Sequence, residues 1–132
     1  MQVLKFGGTS VANSENINKT VSIVKQAILK DKTIVVVSAL GGTTDMLIEA
    51  VKSAAVRNEE YKEKLHSIEI RHLQAVRELI PVEQQGSTLS LVKKTCNELE
   101  SICEGVYLLQ EATARTVDNI MSYGELLSSL II

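Results

Sequence analysis

Apolar residues fall along this chain in two rhythms. Near the start come two short runs, Val3-Leu4-Lys5-Phe6 and Thr33-Ile34-Val35-Val36-Val37. Glycines close the first at once, as Gly7-Gly8, and the second a little later, as Gly41-Gly42. Short apolar runs stopped by glycine predict strands. The second run is continuously apolar and β-branched, as expected of a strand covered on both faces in a parallel sheet. Between the runs, Ile17, Val21, Val24 and Ile28 recur at the helical interval. They predict a helix over 14–30, capped by Asn13 or Ser14. Beyond Gly42 the rhythm is helical throughout. Leu47, Ala50, Val51 and Ala54 share one face, and Leu65, Ile68, His72, Val76 and Leu79 share the face of a helix that Pro81 ends. Val92, Cys96, Leu99, Cys103 and Val106 mark the next. Residues 58–110 thus predict an antiparallel helical pair joined by the loop from Pro81 to Ser87. Residues 113–122 predict a short helix or connector, with a last helix starting near Gly124.

The order β-loop-α-β-loop-α implies an α/β fold with parallel strands and a right-handed crossover. Both glycine-rich loops follow the carboxyl ends of strands, the edge where open α/β sheets bind ligands. Two strands do not complete such a sheet, since its faces need covering and its edges pairing. The last run, from Leu126 to Ile132, is apolar with no Gly, Pro or basic residue to close it. Both features lead to the expectation that residues 1–132 are the amino-terminal part of one larger domain.

Composition narrows the function classes. Of 132 residues, 45% are apolar and 23% charged, ordinary for a globular protein, and the formal net charge is −2. Nothing in that balance recruits nucleic acid or an anionic membrane. Aromatic residues make up 3% with no Trp, so stacking platforms for single-stranded bases are lacking. No apolar stretch reaches the roughly 18 residues of a membrane span, and the opening does not read as a secretory signal. Cys96 and Cys103 lie one heptad apart on a helix, too far along its axis to be bridged. They read as small buried hydrophobes, and the cytoplasm is the expected compartment.

Three segments carry candidate chemistry. In Lys5-Phe6-Gly7-Gly8-Thr9-Ser10, a lysine at a strand end precedes two glycines and two hydroxyls. Glycines let backbone N–H groups approach an anion, and the ammonium neutralises charge on a phosphoryl group. The spacing is neither a Walker A loop nor G-x-G-x-x-G, and an ordinary tight turn with a surface lysine fits as well. Ser38-Ala39-Leu40-Gly41-Gly42-Thr43-Thr44-Asp45 opens a helix whose amino-terminal N–H groups favour an anion. Its plain reading is a strand–turn–helix capped by Thr43 or Thr44. Ser122-Tyr123-Gly124-Glu125 puts a carboxylate in the first turn of the expected last helix, as a dipole partner or as a holder of an ammonium group.

The opening Val3-Leu4-Lys5-Phe6-Gly7-Gly8-Thr9-Ser10-Val11-Ala12 resembles the signature of aspartokinases, in the amino-acid-kinase superfamily. The Ser38–Asp45 and Ser122–Ser128 segments fit that family in order and spacing, and the early start resembles the bifunctional aspartokinase–homoserine dehydrogenases. The resemblance implies an incomplete three-layer αβα amino-acid-kinase-like fold. It also implies phosphorylation of the L-aspartate side-chain carboxylate by ATP, the first step towards lysine, threonine and methionine. Lys5 would stabilise the transferring phosphate, and Gly7, Gly8 and Ser10 would line the ATP phosphate site. Ser38 would sit between the phosphates and aspartate, Thr44 would bind aspartate, and Glu125 would pair with its α-ammonium. Mg²⁺ would bridge the phosphates, and the full protein would be a dimer or larger. The family's later motifs, which supply an arginine for the substrate carboxylate and contacts to adenine and ribose, have no counterpart before Ile132. Residues 1–132 alone are therefore expected to show little or no aspartate-dependent turnover.

Other residues read more plainly. His66 and His72 lie six apart, off the spacing of a helical metal pair, with His72 near the core and His66 at the surface. Arg71 and Arg77 are available to a partner subunit, though no spacing singles them out. Two other functions fit the residues: another small-molecule kinase of the same fold, and a non-enzymatic helical interaction module built on residues 58–110. The first needs no Glu125 if its acceptor lacks an ammonium group. The second makes both glycine loops dispensable.

Overall fold

The computed structural model describes all residues, 1–132. Strand β1 (Gln2–Phe6) pairs in parallel with β2 (Thr33–Val37), Phe6 opposite Val37. Helix α1 (Ser14–Ile28) connects them. The Asn13 side chain caps it by accepting from the Asn16 N–H at 2.9 Å, one of the two expected caps. The helix stops two residues short of the expected end. Ile28, read as its fourth core position, is 55% exposed, whereas Thr20 is buried.

Helices α2 (Thr43–Ala55), α3 (Glu60–Leu79), α4 (Gln85–Leu109) and α5 (Ala114–Ile131) complete the chain, with a 3₁₀ turn at Val82–Gln84. The residue before a proline avoids the helical region. Ile80 is accordingly extended (φ −110°, ψ 133°), and α3 ends there. The connection to α4 is shorter than expected because the 3₁₀ turn feeds directly into the helix at Gln85.

The four helices α2–α5 pack on one another and hold most of the core. Leu47, Ala50 and Ala54 of α2, Tyr61, Ile68 and Val76 of α3, Val92, Leu99 and Cys103 of α4, and Ile120 and Leu127 of α5 are all buried. The apolar faces assigned to α2, α3 and α4 are the faces that pack. Both cysteines are free and buried, and desolvation pushes their thiols up, Cys96 to about 12 and Cys103 to about 11. His72 is buried with Nδ1 2.6 Å from the Ile68 carbonyl oxygen, while Nε2 finds no partner. His66 is exposed.

Three expectations are corrected. β2 is not covered on both faces: Ile34 and Val36 are 48% and 43% exposed, and Val3 beside them is 59% exposed. The helices that reach β2, α1 and α5, line the face carrying Val35 and Val37, so two of the three αβα layers are present. The cap of α2 is Gly42, not Thr43 or Thr44. Gly42 turns the chain through the left-handed region at φ 79°, and Thr43 is buried in the core. Residues 113–131 form one helix, not a connector followed by a second helix, with Thr113 capping it. Gly124 lies within α5 because a Cβ there would come 2.9 Å from the Ala39 Cβ and 3.4 Å from Leu47. Close approach, not helix termination, requires that glycine.

Burial holds the His72 imidazole below its ordinary pKa of 6.5, and the neighbouring Arg71 charge adds to the effect. The folded state binds its proton less readily than the unfolded state. His72 therefore contributes fully above about pH 6.5, and stability is lost as pH falls below that value. His72→Leu should flatten the difference in unfolding free energy between about pH 7.5 and about pH 5.5, measured with urea. A matched glycine pair tests the packing of α5. Gly124→Ala should destabilise by about 1–3 kcal/mol, because Ala39 has no flexible side chain to move aside. Gly105→Ala in α4, whose Cβ would meet nothing within 4 Å, should stabilise by about 0.5–1 kcal/mol. Thermal unfolding of the two variants beside the parent reads both signs.

Candidate active site

The parallel register brings the two strand ends side by side. The Ser38 N–H donates to the Phe6 carbonyl oxygen at 3.1 Å, so the ladder continues one residue past β2 and sets Ser38 beside the start of the first loop. That loop, residues 7–12, is pinned from within. Asn16 Nδ2 donates to the Thr9 carbonyl oxygen at 2.9 Å, and Thr20 Oγ1 to that of Ser10 at 2.9 Å. Val11 is fully buried, anchoring the loop's middle. The outer side of the loop is open: a Cβ on Gly7 or Gly8 would meet no atom within 4 Å. The N–H groups of Gly8 and Thr9 take no acceptor from the chain. Unpaired, closely spaced amides on an exposed loop suit an anion.

The second loop lies against the first. A Cβ on Gly41 would stand 3.1–3.2 Å from the Ala12 backbone and side chain, so the glycine relieves a tight approach of the two loops there. Arg71 of α3 joins them. Its Nη2 donates to the Ala12 carbonyl oxygen at 2.8 Å, and its Nη1 donates to that of Gly41. The expectation that Arg71 is available to a partner subunit is thus corrected, because the guanidinium is engaged within the chain. Thr44 is half-buried in the first turn of α2, whose N–H groups at Thr44 and Asp45 are free of chain acceptors. The positive end of the α2 dipole therefore adjoins both loops.

Helix α5 reaches the second loop through Gly124, whose missing Cβ leaves room for Ala39 and Thr43. Glu125 is the next residue and is exposed. It lies well inside α5, so its reading as a first-turn dipole partner is overturned. Lys5 is exposed on the uncovered face of the sheet and makes no ion pair or side-chain hydrogen bond within the chain. The structure thus gathers Gly7, Gly8, Ser10, Ser38 and Thr44 around one sheet edge, with Gly124 against the second loop, and sets Lys5 on the uncovered face of the sheet. No single cavity encloses these residues. The cleft beside the first loop, about 250 Å³, is lined by Ser10 together with Phe6, Thr9, Asn16, Lys19 and Thr20, among others.

Sequence reasoning missed Arg71, and also Asn16 and Thr20 as loop anchors. Asn16 and Thr20 sit on the side of α1 next to its apolar stripe and follow the loop by one and two helical turns. Arg71 adjoins the buried positions Ile68 and His72, at the margin of the apolar face of α3. A margin arginine carries no signal of which carbonyls it meets.

No group of three or more His, Cys, Asp or Glu residues stands close enough to hold a metal ion. No helix is long and apolar enough to cross a membrane.

Comparison with known proteins places this arrangement. A profile of the Amino acid kinase family matches residues 1–132. A bifunctional aspartokinase/homoserine dehydrogenase of Buchnera aphidicola is 31% identical over 134 residues, which cover 99% of this chain and 16% of that protein. The chloroplastic aspartokinase 1 of Arabidopsis thaliana is 33% identical over 132 residues, covering 98% of this chain and 22% of that protein. Among solved structures, E. coli aspartokinase III in complex with aspartate and ADP is similar with a TM-score of 0.80 and 27% identity, over 99% of this chain and 27% of that one. The same enzyme in complex with lysine and aspartate gives a TM-score of 0.79 at 28% identity, with the same coverage. The chain spans about a quarter or less of the length of these relatives. With the whole of its length matched, the chain belongs to the amino acid kinase family.

Proposed function

We propose that the protein carrying this chain transfers the γ-phosphate of ATP to the side-chain carboxylate of L-aspartate, giving 4-phospho-L-aspartate. Residues 1–132 then form the amino-terminal part of its kinase domain. The observation that carries the reading is the junction of two glycine loops at the carboxyl edge of parallel strands, with free N–H groups on the first and on the start of α2. A solved relative of the same fold bound to aspartate and ADP supports the choice of ligands.

In this reading Gly7, Gly8 and Ser10 present donors to the ATP phosphates, and Lys5 neutralises charge on the transferring group. Ser38, beside the first loop, stands between the phosphates and the acceptor. Thr44 orients aspartate from the first turn of α2, and Glu125 takes its α-ammonium. A carboxylate oxygen of aspartate forms a bond to the γ-phosphorus while the bond to the bridging oxygen breaks and ADP leaves. No group of the chain becomes covalently attached. Positioning and charge neutralisation supply the catalysis. Mg²⁺ would accompany ATP and neutralise charge on its phosphates. We further assign the protein to the cytoplasm as a homo-oligomer.

Aspartate-dependent ADP formation by the complete natural protein tests this assignment. Lys5→Ala should lower kcat about a hundredfold or more, as loss of a transition-state charge partner does. Glu125→Ala should raise the KM for aspartate about tenfold or more with a smaller effect on kcat, the signature of lost ground-state binding. Phosphorylation of another acceptor with aspartate inert would keep the fold and discard the substrate. Indifference of function to replacement of both Lys5 and Gly8 would favour the helical interaction module instead.

A further inference from the structure

Arg71 lies outside both glycine loops, yet its guanidinium spans them. It comes from α3, a helix anchored in the core by Ile68, His72 and Val76 on the same side. Each of its two terminal nitrogens donates to a different loop: Nη2 to the Ala12 carbonyl oxygen at 2.8 Å, Nη1 to that of Gly41. Guanidinium is suited to this, since its planar fork holds two acceptors in a fixed relation that a single ammonium does not reproduce.

The consequence for the loops follows from peptide geometry. A trans peptide is planar, with its N–H directed opposite to its C=O. Holding the Gly41 carbonyl towards α3 turns the Gly42 N–H away from it, and holding the Ala12 carbonyl does the same for the Asn13 N–H. Neither N–H has an acceptor within the chain. The first loop's other inward carbonyls, at Thr9 and Ser10, are already held by α1. Arg71 is the side chain that hydrogen-bonds to both loops at once. Gly41 makes that contact possible, because any Cβ there would press on Ala12.

We propose that Arg71 is a positioning residue for phosphoryl transfer: it sets the spacing of the ATP-phosphate loop and the aspartate loop and orients the peptide at Gly42 between them. The proposal rests on the kinase reading above. It gives Arg71 no contact with either substrate. Its role is to keep two separately bound reactants in line, where a small misplacement is costly.

The test uses the complete natural protein with Arg71→Ala and Arg71→Lys, steady-state kinetics in both substrates, and amide hydrogen exchange. Arg71→Ala should raise the KM for MgATP and for aspartate together, each by about tenfold or more, because both loops lose one restraint. Arg71→Lys, which keeps one donor group within reach, should recover part of both losses. Exchange over residues 7–13 and 38–45 should quicken in Arg71→Ala relative to the parent. A merely structural arginine would instead reduce the amount of folded enzyme and leave both KM values as they were, and that result overturns the proposal. So does an Arg71→Lys enzyme no better than Arg71→Ala. If Arg71→Ala does not fold, Arg71→Lys carries the test: its two KM values should rise together, and unchanged values sink the idea. A parent inert towards aspartate defeats the kinase reading only. Loop exchange then still decides whether Arg71 holds the two loops.

Discussion

One guanidinium, reaching from a helix to two carbonyl oxygens in different loops, connects the two halves of this molecule. On one side stands a pair of parallel strands with two glycine-rich ends. On the other stands a cluster of four helices that contains most of the core. A two-stranded sheet has little stability of its own. Here α1 and α5 lie against one of its faces, and Arg71 fastens its loops to the helical cluster. Glycine relieves two close approaches for the same reason. Gly41 lets one loop meet the other, and Gly124 lets α5 meet the second loop. Backbone proximity at the sheet edge is thus the constraint to which both glycines and Arg71 answer.

Much of this was legible in the residue pattern because local signals and tertiary packing agree. The bounds of β2 follow from a β-branched run, and the stop of α3 follows from Pro81. The apolar faces of α2, α3 and α4 pack as their spacing predicts. Where the pattern misled, tertiary context outweighed a local cue. Gly124 reads as a helix boundary because glycine has poor helix propensity, about 1 kcal/mol worse than Ala. In the fold that cost is offset by contact with Ala39, a residue remote in sequence. Thr43 reads as a cap, but its side chain is drawn into the core and Gly42 takes over the turn. Ile28 completes a helical stripe on paper, yet lies where the chain leaves it more than half exposed.

The site divides in the same way. The roles of Gly7, Gly8, Ser10, Ser38 and Thr44 come from the family resemblance, while glycine loops at strand ends have a local signature, so the two loops could be picked out from the chain. Residues that hold those loops have none. Asn16, Thr20 and Arg71 act through backbone carbonyls, and a carbonyl oxygen looks the same in every residue type. A donor's target is set by the path of the backbone, which exists only once the fold does. The second tier of a site is therefore hidden from sequence reading for a physical reason.

Lys5 shows what the geometry adds to a motif. In an extended strand successive side chains alternate between faces, so Lys5 shares its face with Val3 and, across the register, with Ile34 and Val36. That face is bare, and it carries three exposed apolar residues beside one ammonium. Phosphoryl transfer needs its charge neutralised in a setting drier than open solvent, because a lysine in bulk water stabilises an anion weakly. The glycine loops and the start of α2 carry free N–H donors at the sheet edge, while Lys5 stands on the bare face. In the proposed reading, Lys5 becomes an effective charge partner only with that apolar face covered.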